Sequence, residues 1–165
     1  RRGVALGANG PGPPHYVTAR GEGHGAHAPG VAITPESGSL GIGLGGFQET
    51  DQLPIFSKIT KFQAHVNNPA RMAELTGRAF DRAILEMGPT QLNIPRDFFY
   101  GDVECEIPRP IHIERGAGGK QSLHAAAALL AAAQCPVLLA GRRIVMGGSP
   151  TGPAELPQVP PAPGG

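Results

Sequence analysis

The residue types best suited to chemistry gather in one stretch, 38–52, which reads Gly-Ser-Leu-Gly-Ile-Gly-Leu-Gly-Gly-Phe-Gln-Glu-Thr-Asp-Gln. Five of its residues are glycine: Gly38, Gly41, Gly43, Gly45 and Gly46. Glycine serves where backbone takes positive φ or comes close to another group. Behind it stand Phe47, a flat apolar group, Gln48, an amide that both donates and accepts, and the carboxylate Glu49. A positioned amide suits an oxygen that gains charge during a reaction. Gly41, Gly43 and Gly46 also satisfy G-x-G-x-x-G. A dinucleotide fingerprint, however, needs a helix opening within the glycines and an acidic residue about 20 positions on. Pro54 and the aperiodic run 47–56 argue against the helix, and Val66, Asn67 and Asn68 stand where the acid belongs. From the residues alone, a surface glycine loop without a ligand is slightly favoured.

Smaller groups carry less. Gly10-Pro11-Gly12 is a tight turn. Glu22, His24 and His27 have ligating atoms, but they lie in a glycine-broken segment, and no metal site is expected there. The stretch 116–122 is similar to a phosphate-binding loop, yet Lys120 is followed by Gln121 where that loop needs Ser or Thr. It reads as a hinge before a helix. Arg96 and Asp97 stand at the end of an apolar run, and Phe98, Phe99 and Tyr100 read as a packed aromatic plug. Cys105 and Cys135 match no metal or redox spacing and are expected to be reduced thiols.

The elements that must position these groups follow from periodicity. Val4, Ala5 and Leu6 read as a short strand, and the run 30–35 (Gly-Val-Ala-Ile-Thr-Pro) as a buried one. The segment between them predicts only a poor helix, because Gly21, Gly23 and Gly25 each cost about 1 kcal/mol against alanine. One helical turn is expected at 53–57 and an alternating strand at 58–62. Asn68 then caps the strongest helix, with Pro69 at its first position and Gly88 past its end. Met72, Leu75, Ala79, Ala83, Ile84 and Met87 form its apolar face. Residues 90–95 make the next strand. A linker is expected over 108–119, an alanine-rich helix over 120–134 and a buried strand over 135–141. The Pro/Gly-rich stretch 149–165 is expected to be disordered. The pattern is α/β with a parallel sheet flanked by helices, in which ligands bind at the carboxyl ends of strands.

Composition narrows the function classes. Of 165 residues, 25 are glycine and 18 proline, concentrated in the first third and the tail, so the middle can still fold. A net charge of +1 argues against an electrostatic nucleic-acid binder. No apolar run reaches the roughly 18 residues of a membrane span, and no leader pattern is present, so a cytoplasmic location is expected. Arg1 is not expected to be a natural start.

Several phrases occur together and in order: Gly10-Pro-Gly12, Ile33-Thr-Pro-Glu-Ser-Gly38, Gly43-Leu-Gly-Gly-Phe-Gln-Glu-Thr-Asp51, Ile59-Thr-Lys-Phe62, Gly88-Pro-Thr-Gln-Leu-Asn-Ile-Pro-Arg-Asp97 and Phe99-Tyr-Gly-Asp102. In this wording the chain resembles part of a thiamine-diphosphate enzyme of the acetolactate-synthase superfamily, over roughly residues 3–148. Within it, the resemblance is to the acetyltransferases that act on a sulfonated two-carbon aldehyde. It implies the second half of a pyrimidine-binding domain over 1–107, a linker over 108–119, and the start of a central domain over 120–148. It implies thiamine diphosphate and Mg2+ as cofactors, and a homo-oligomer holding the cofactor between subunits. Gly10, Pro11 and Gly12 are then placed near the aminopyrimidine, Phe47 and Gln48 line the substrate cavity, and Gln48 is the catalytic candidate. The reaction implied turns the aldehyde and phosphate into acetyl phosphate and sulfite. The catalytic glutamate and the metal site are expected outside this segment, so the segment alone is expected to be inactive. Two other readings stand beside this one: an acetolactate-synthase or decarboxylase type of reaction, and a non-catalytic dimerisation or binding module that kept the fold.

Overall fold

The computed structural model describes residues 3–112, 116, 118–137, 139, 141 and 144. The chain divides into two compact units, Arg1–His112 and Ile113–Gly165.

The first unit is built on a four-stranded sheet in the order β1-β2-β4-β3, with every neighbouring pair parallel. The strands are β1 (Gly3–Leu6), β2 (Gly30–Glu36), β3 (Phe62–His65) and β4 (Pro89–Pro95). The α/β class predicted from the sequence is the one observed. A parallel sheet needs both faces covered. All seven residues of β4 are accordingly buried, and so are five of seven in β2.

The two faces differ in character. Alternate residues of a strand point to opposite faces. On one face Leu92 and Ile94 pack with Val66 and with Leu75 of the longest helix of this unit, α3 (Met72–Leu85). Thr90 on that face donates to the Ala79 carbonyl at 3.0 Å, fixing the helix to the sheet. The helix forms as the sequence dictates: the Asn68 side chain accepts from the Ala70 N–H at 2.9 Å, and Pro69 opens a single 3-10 turn before Met72. Leu75, Ala79 and Ala83 are its buried residues.

The opposite face is polar. Gln63 donates to Gln91 (2.5 Å), Gln91 to Thr34 (3.0 Å), and Thr34 to Asn93 (2.8 Å). Asn93 in turn donates to Glu36, whose other oxygen meets Nε2 of His65. A second donation from Gln63, to the Leu53 carbonyl at 2.7 Å, holds the short helix α2 (Leu53–Phe56) over this face. Buried amides and hydroxyls are tolerated here because each has a partner.

Against expectation, the glycine-broken segment is ordered as a 3-10 turn, Pro13–Tyr16, followed by the helix α1 (Val17–Gly25). Side chains tie it down. Tyr16 donates to the Ile33 carbonyl at 3.0 Å and Arg20 to the Val31 carbonyl at 3.1 Å, while the Tyr16 ring lies 5.8 Å from that of Phe56. These tertiary ties outweigh the propensity cost of the glycines.

The third strand lies later than its sequence suggests, beginning at Phe62 where 58–62 was expected. Thr60 donates to the Phe56 carbonyl at 2.8 Å, which keeps 57–60 in a turn, and pairing starts where Phe62 meets Thr90. Only Phe98 of the three aromatics packs on the core; Phe99 and Tyr100 are exposed.

In the second unit one helix is described, α4 (Lys120–Ala132), exposed along its whole length. Of the strand expected at 135–141, positions 138 and 140 fall outside the described residues. The other five form no strand, and Val137 and Leu139 are exposed. A parallel strand needs neighbours to complete its hydrogen bonds, and none is present in this unit among the described residues. The tail 149–165, expected to be disordered, lies outside the described residues. Among the described residues no helix is long and apolar enough to cross a membrane. Cys105 and Cys135 are free thiols.

Candidate active site

Two turns leave the carboxyl ends of β1 and β2 and meet. The first carries Gly10-Pro11-Gly12. Gly10 is buried at φ +69°, and a Cβ built there would fall on the carbonyl and Cβ of Gln48. A Cβ at Gly12 would fall on the Ala8 carbonyl. Both glycines are therefore required by the chain's own packing. The structure thus brings together Gly10, Pro11, Gly12 and Gln48, which stand almost forty residues apart in sequence.

Gln48 itself has φ +62°, a left-handed backbone that costs a non-glycine residue about 1 kcal/mol. Such outliers persist where the surroundings impose them, and they cluster at functional sites. Gln48 is exposed, and Phe47 beside it is 90% exposed.

Glu49 is not presented to a ligand in this structure. Its carboxylate folds back and accepts from three glycine amides: Gly43, Gly45 at 2.7 Å and Gly46 at 3.0 Å. Positive φ at Gly43 and Gly45 turns these N–H groups toward one point. The hydrogen bonds from Gly43 and Gly46 hold the Glu49 carboxyl below its ordinary value, with a smaller contribution from Gly45. Glu36 is likewise engaged, by Asn93 and His65. No helix opens within the glycines; α2 begins only at Leu53.

Against the same loop a cleft of about 430 Å³ lies between Ser37 and the turn after β4. Phe47, Arg96 and Tyr100 line it. The sequence placed Arg96 and Asp97 at a strand's carboxyl end; the structure sets them facing the glycine loop. Asp97 accepts from the Ser39 N–H at 2.8 Å and the Ser39 hydroxyl at 2.6 Å, and this pair of bonds, led by the hydroxyl, holds its carboxyl below the usual range. Glu22, His24 and His27 do not converge, and among the described residues no group of three or more His, Cys, Asp or Glu side chains is placed to hold a metal ion.

The residues present suit one flank of a flat heteroaromatic ring. A main-chain turn with no room for side chains at Gly10 and Gly12 carries exposed Pro11, and its Gly10 meets the loop that carries exposed Phe47 and Gln48. The polar chain across the sheet and the capping role of Glu49 escaped sequence reasoning, because both depend on which strands are neighbours and how the loop folds back.

No family model matches the chain. Over 147 residues, 89% of its length, it is 60% identical to the sulfoacetaldehyde acetyltransferase of Alcaligenes xylosoxydans xylosoxydans, covering 24% of that protein. It is 59% identical to the sulfoacetaldehyde acetyltransferase of Castellaniella defragrans, covering 25% of it. More distantly it is 29% identical, over 155 residues, to a probable acetolactate synthase large subunit of Methanocaldococcus jannaschii, covering 26% of that protein. The chain is thus a homologue of one segment of these acetyltransferases and spans about a quarter of the length of the curated relatives it matches.

Proposed function

We propose that this chain is part of a thiamine-diphosphate-dependent acetyltransferase that converts sulfoacetaldehyde and phosphate into acetyl phosphate and sulfite. The observation that carries the reading is the contact of the Gly10 turn with Gln48. It joins the turn assigned to the cofactor's pyrimidine and the loop assigned to substrate into one surface. The higher identity to acetyltransferases than to acetolactate synthases favours this reaction over acetolactate synthesis. Thiamine diphosphate supplies an electron sink for the carbon–sulfur cleavage, and protein supplies orientation and electrostatics. Gly10, Pro11 and Gly12 hold the flank of the pyrimidine ring. Phe47 excludes water from the reacting end of the substrate. The Gln48 amide donates to the substrate oxygen as its charge grows. Mg2+ belongs to residues outside the described segment, and a second subunit closes the exposed side of the loop.

The test is Gln48→Ala in the complete protein that carries this segment, assayed by sulfite release from sulfoacetaldehyde with phosphate, Mg2+ and thiamine diphosphate. A donor that acts on developing charge affects turnover more than ground-state binding. Turnover should fall about 10²–10³-fold, with melting temperature and cofactor affinity nearly unchanged. Wild-type turnover in a stable mutant removes Gln48 from the site. Joint loss of stability, cofactor binding and activity assigns it to the fold instead.

A further inference from the structure

We propose that the cleft between Ser37 and Arg96 is an oxyanion subsite that takes the sulfonate end of the substrate, with the Arg96 guanidinium as its cation and the Ser37 hydroxyl as a donor. The assignment rests on the acetyltransferase reading, because that reaction brings a sulfonate to this loop.

Three observations carry it. Arg96 lines the cleft and makes no hydrogen bond or ion pair with any described residue. Its sequence neighbour Asp97 turns both carboxylate oxygens to Ser39 and forms no direct ion pair with it, although the guanidinium charge is near enough to help lower the Asp97 carboxyl. Ser37 is only 8% exposed, yet its hydroxyl has no partner among the described residues and is not sealed off, and the residue lines the cleft. A nearly buried hydroxyl without a partner and a guanidinium whose N–H groups have no acceptor, lining one cleft, are a donor set suited to an anion. The third feature is Phe47, which borders the same cleft and immediately precedes Gln48. A two-carbon substrate held at its charged end by Arg96 would therefore lie along an apolar wall leading toward the catalytic candidate.

Charge selects sulfonate over phosphate. A guanidinium offers two parallel N–H groups to two oxygens, and a hydroxyl reaches a third. Beside the ionised Asp97 carboxylate, which Ser39 holds in its charged form, a phosphate dianion meets twice the repulsion that a sulfonate monoanion does.

The experiment has two arms. In the first, the 165-residue chain is titrated with 2-hydroxyethanesulfonate, and separately with inorganic phosphate, while amide signals of 37–41 and the Arg96 side-chain N–H are followed by NMR. Saturable shifts with the sulfonate, weaker shifts with phosphate, and loss of both in Arg96→Gln are expected. No shift with the sulfonate, an unchanged response in Arg96→Gln, or a response to phosphate alone overturns the proposal. Ser37→Ala gives a second variant should Arg96→Gln disturb the turn; a sulfonate response unchanged in Ser37→Ala removes the hydroxyl from the subsite. In the second arm, Arg96→Gln in the complete protein raises KM for sulfoacetaldehyde about 10–100-fold, the loss expected for a hydrogen bond to a charged group, and leaves KM for phosphate unchanged. Arg96→Lys recovers part of the loss. Sulfonate binding without any sulfite release in the wild-type protein keeps the subsite and overturns the acetyltransferase reading. Sulfite release with KM unaffected by Arg96→Gln does the reverse.

Discussion

The helix α1 and the loop 38–52 are built from the same material and end differently. Glycine makes up three of the nine residues of α1 and five of the fifteen in the loop, one in three in each. One is a regular helix and the other an irregular loop. The difference lies in the direction of the ties. In α1, long side chains reach outward: Tyr16 just before it and Arg20 within it donate to carbonyls of β2, and the Tyr16 ring rests near Phe56. In the loop a side chain reaches inward, as Glu49 collects the amides of Gly43, Gly45 and Gly46. A glycine-rich segment tied to a sheet adopts the geometry that the sheet accepts. One tied to itself keeps its outer surface free, and Phe47 and Gln48 stand on that surface.

The comparison breaks most severely at Gly10, where the loop touches the rest of the fold. Gly10→Ala puts a Cβ into the Gln48 backbone at a positive φ. We expect a loss of about 2–4 kcal/mol, from overpacking and left-handed strain together, measured by urea unfolding. An unchanged midpoint would show that the loop yields freely and is not held against the turn.

Unfastening α1 should cost less. Tyr16→Phe removes one partly buried hydrogen bond and should destabilise by about 0.5–1.5 kcal/mol. Amide exchange over 17–25 should quicken more than that over 72–85. Equal exchange in mutant and wild type would mean that glycine helices of this kind hold without their tether.

Alkali tests the same tie without a mutation. Burial pushes the Tyr16 phenol up to about 12, against the opposing pull of Arg20. The unfolded chain releases this proton near pH 10, the folded chain near 12. The stabilisation is therefore complete below pH 10 and lost as pH rises from 10 to 12. The drop in stability over that window should be smaller in Tyr16→Phe.

The smallest effect belongs to the inward tie. The Glu49 carboxyl is held below its ordinary value, so its contribution is present above the unfolded carboxylate range and lost as pH falls through the lowered folded value. Acidification should release the amides of Gly43, Gly45 and Gly46 to exchange before the sheet opens, and Glu49→Gln should produce the same release at neutral pH. Protection persisting in Glu49→Gln would assign the order of the loop to something other than its carboxylate.

Most of the framework was legible in the residues because it is local. The apolar runs of β1, β2 and β4 and the period of α3, with Asn68 and Pro69 at its head, are visible within a dozen positions. Gln48 stood out by its type and its place behind the glycines, but Gly10 entered the candidate site only through a resemblance, and nothing in their local sequence says that they touch. The start of β3 was missed because Lys58 and Ile59 alternate like a strand, whereas Thr60 bonds back to Phe56. The helix at 17–25 was undervalued because its support comes from side chains whose partners, Val31 and Ile33, lie on another element. The cleft at Arg96 depends on two turns more than fifty residues apart, and only the pairing of β2 with β4 brings them together.

The relay of polar side chains across the sheet gives the strands a lock on their alignment. Sliding β4 by two residues against β2 would leave every side chain on its own face and much of the apolar packing recoverable, so greasy contacts alone tolerate that error. The chain through Gln63, Gln91, Thr34, Asn93 and Glu36 adds a condition, because its hydrogen bonds would have to break and find new partners in any other alignment. The observed alignment sets Gln63 opposite Gln91 and Thr34 opposite Asn93. The turns that carry Ser37 and Arg96 leave the ends of these same two strands, so a proofread alignment in the middle of the sheet also fixes how far apart a cation and a hydroxyl stand at its rim.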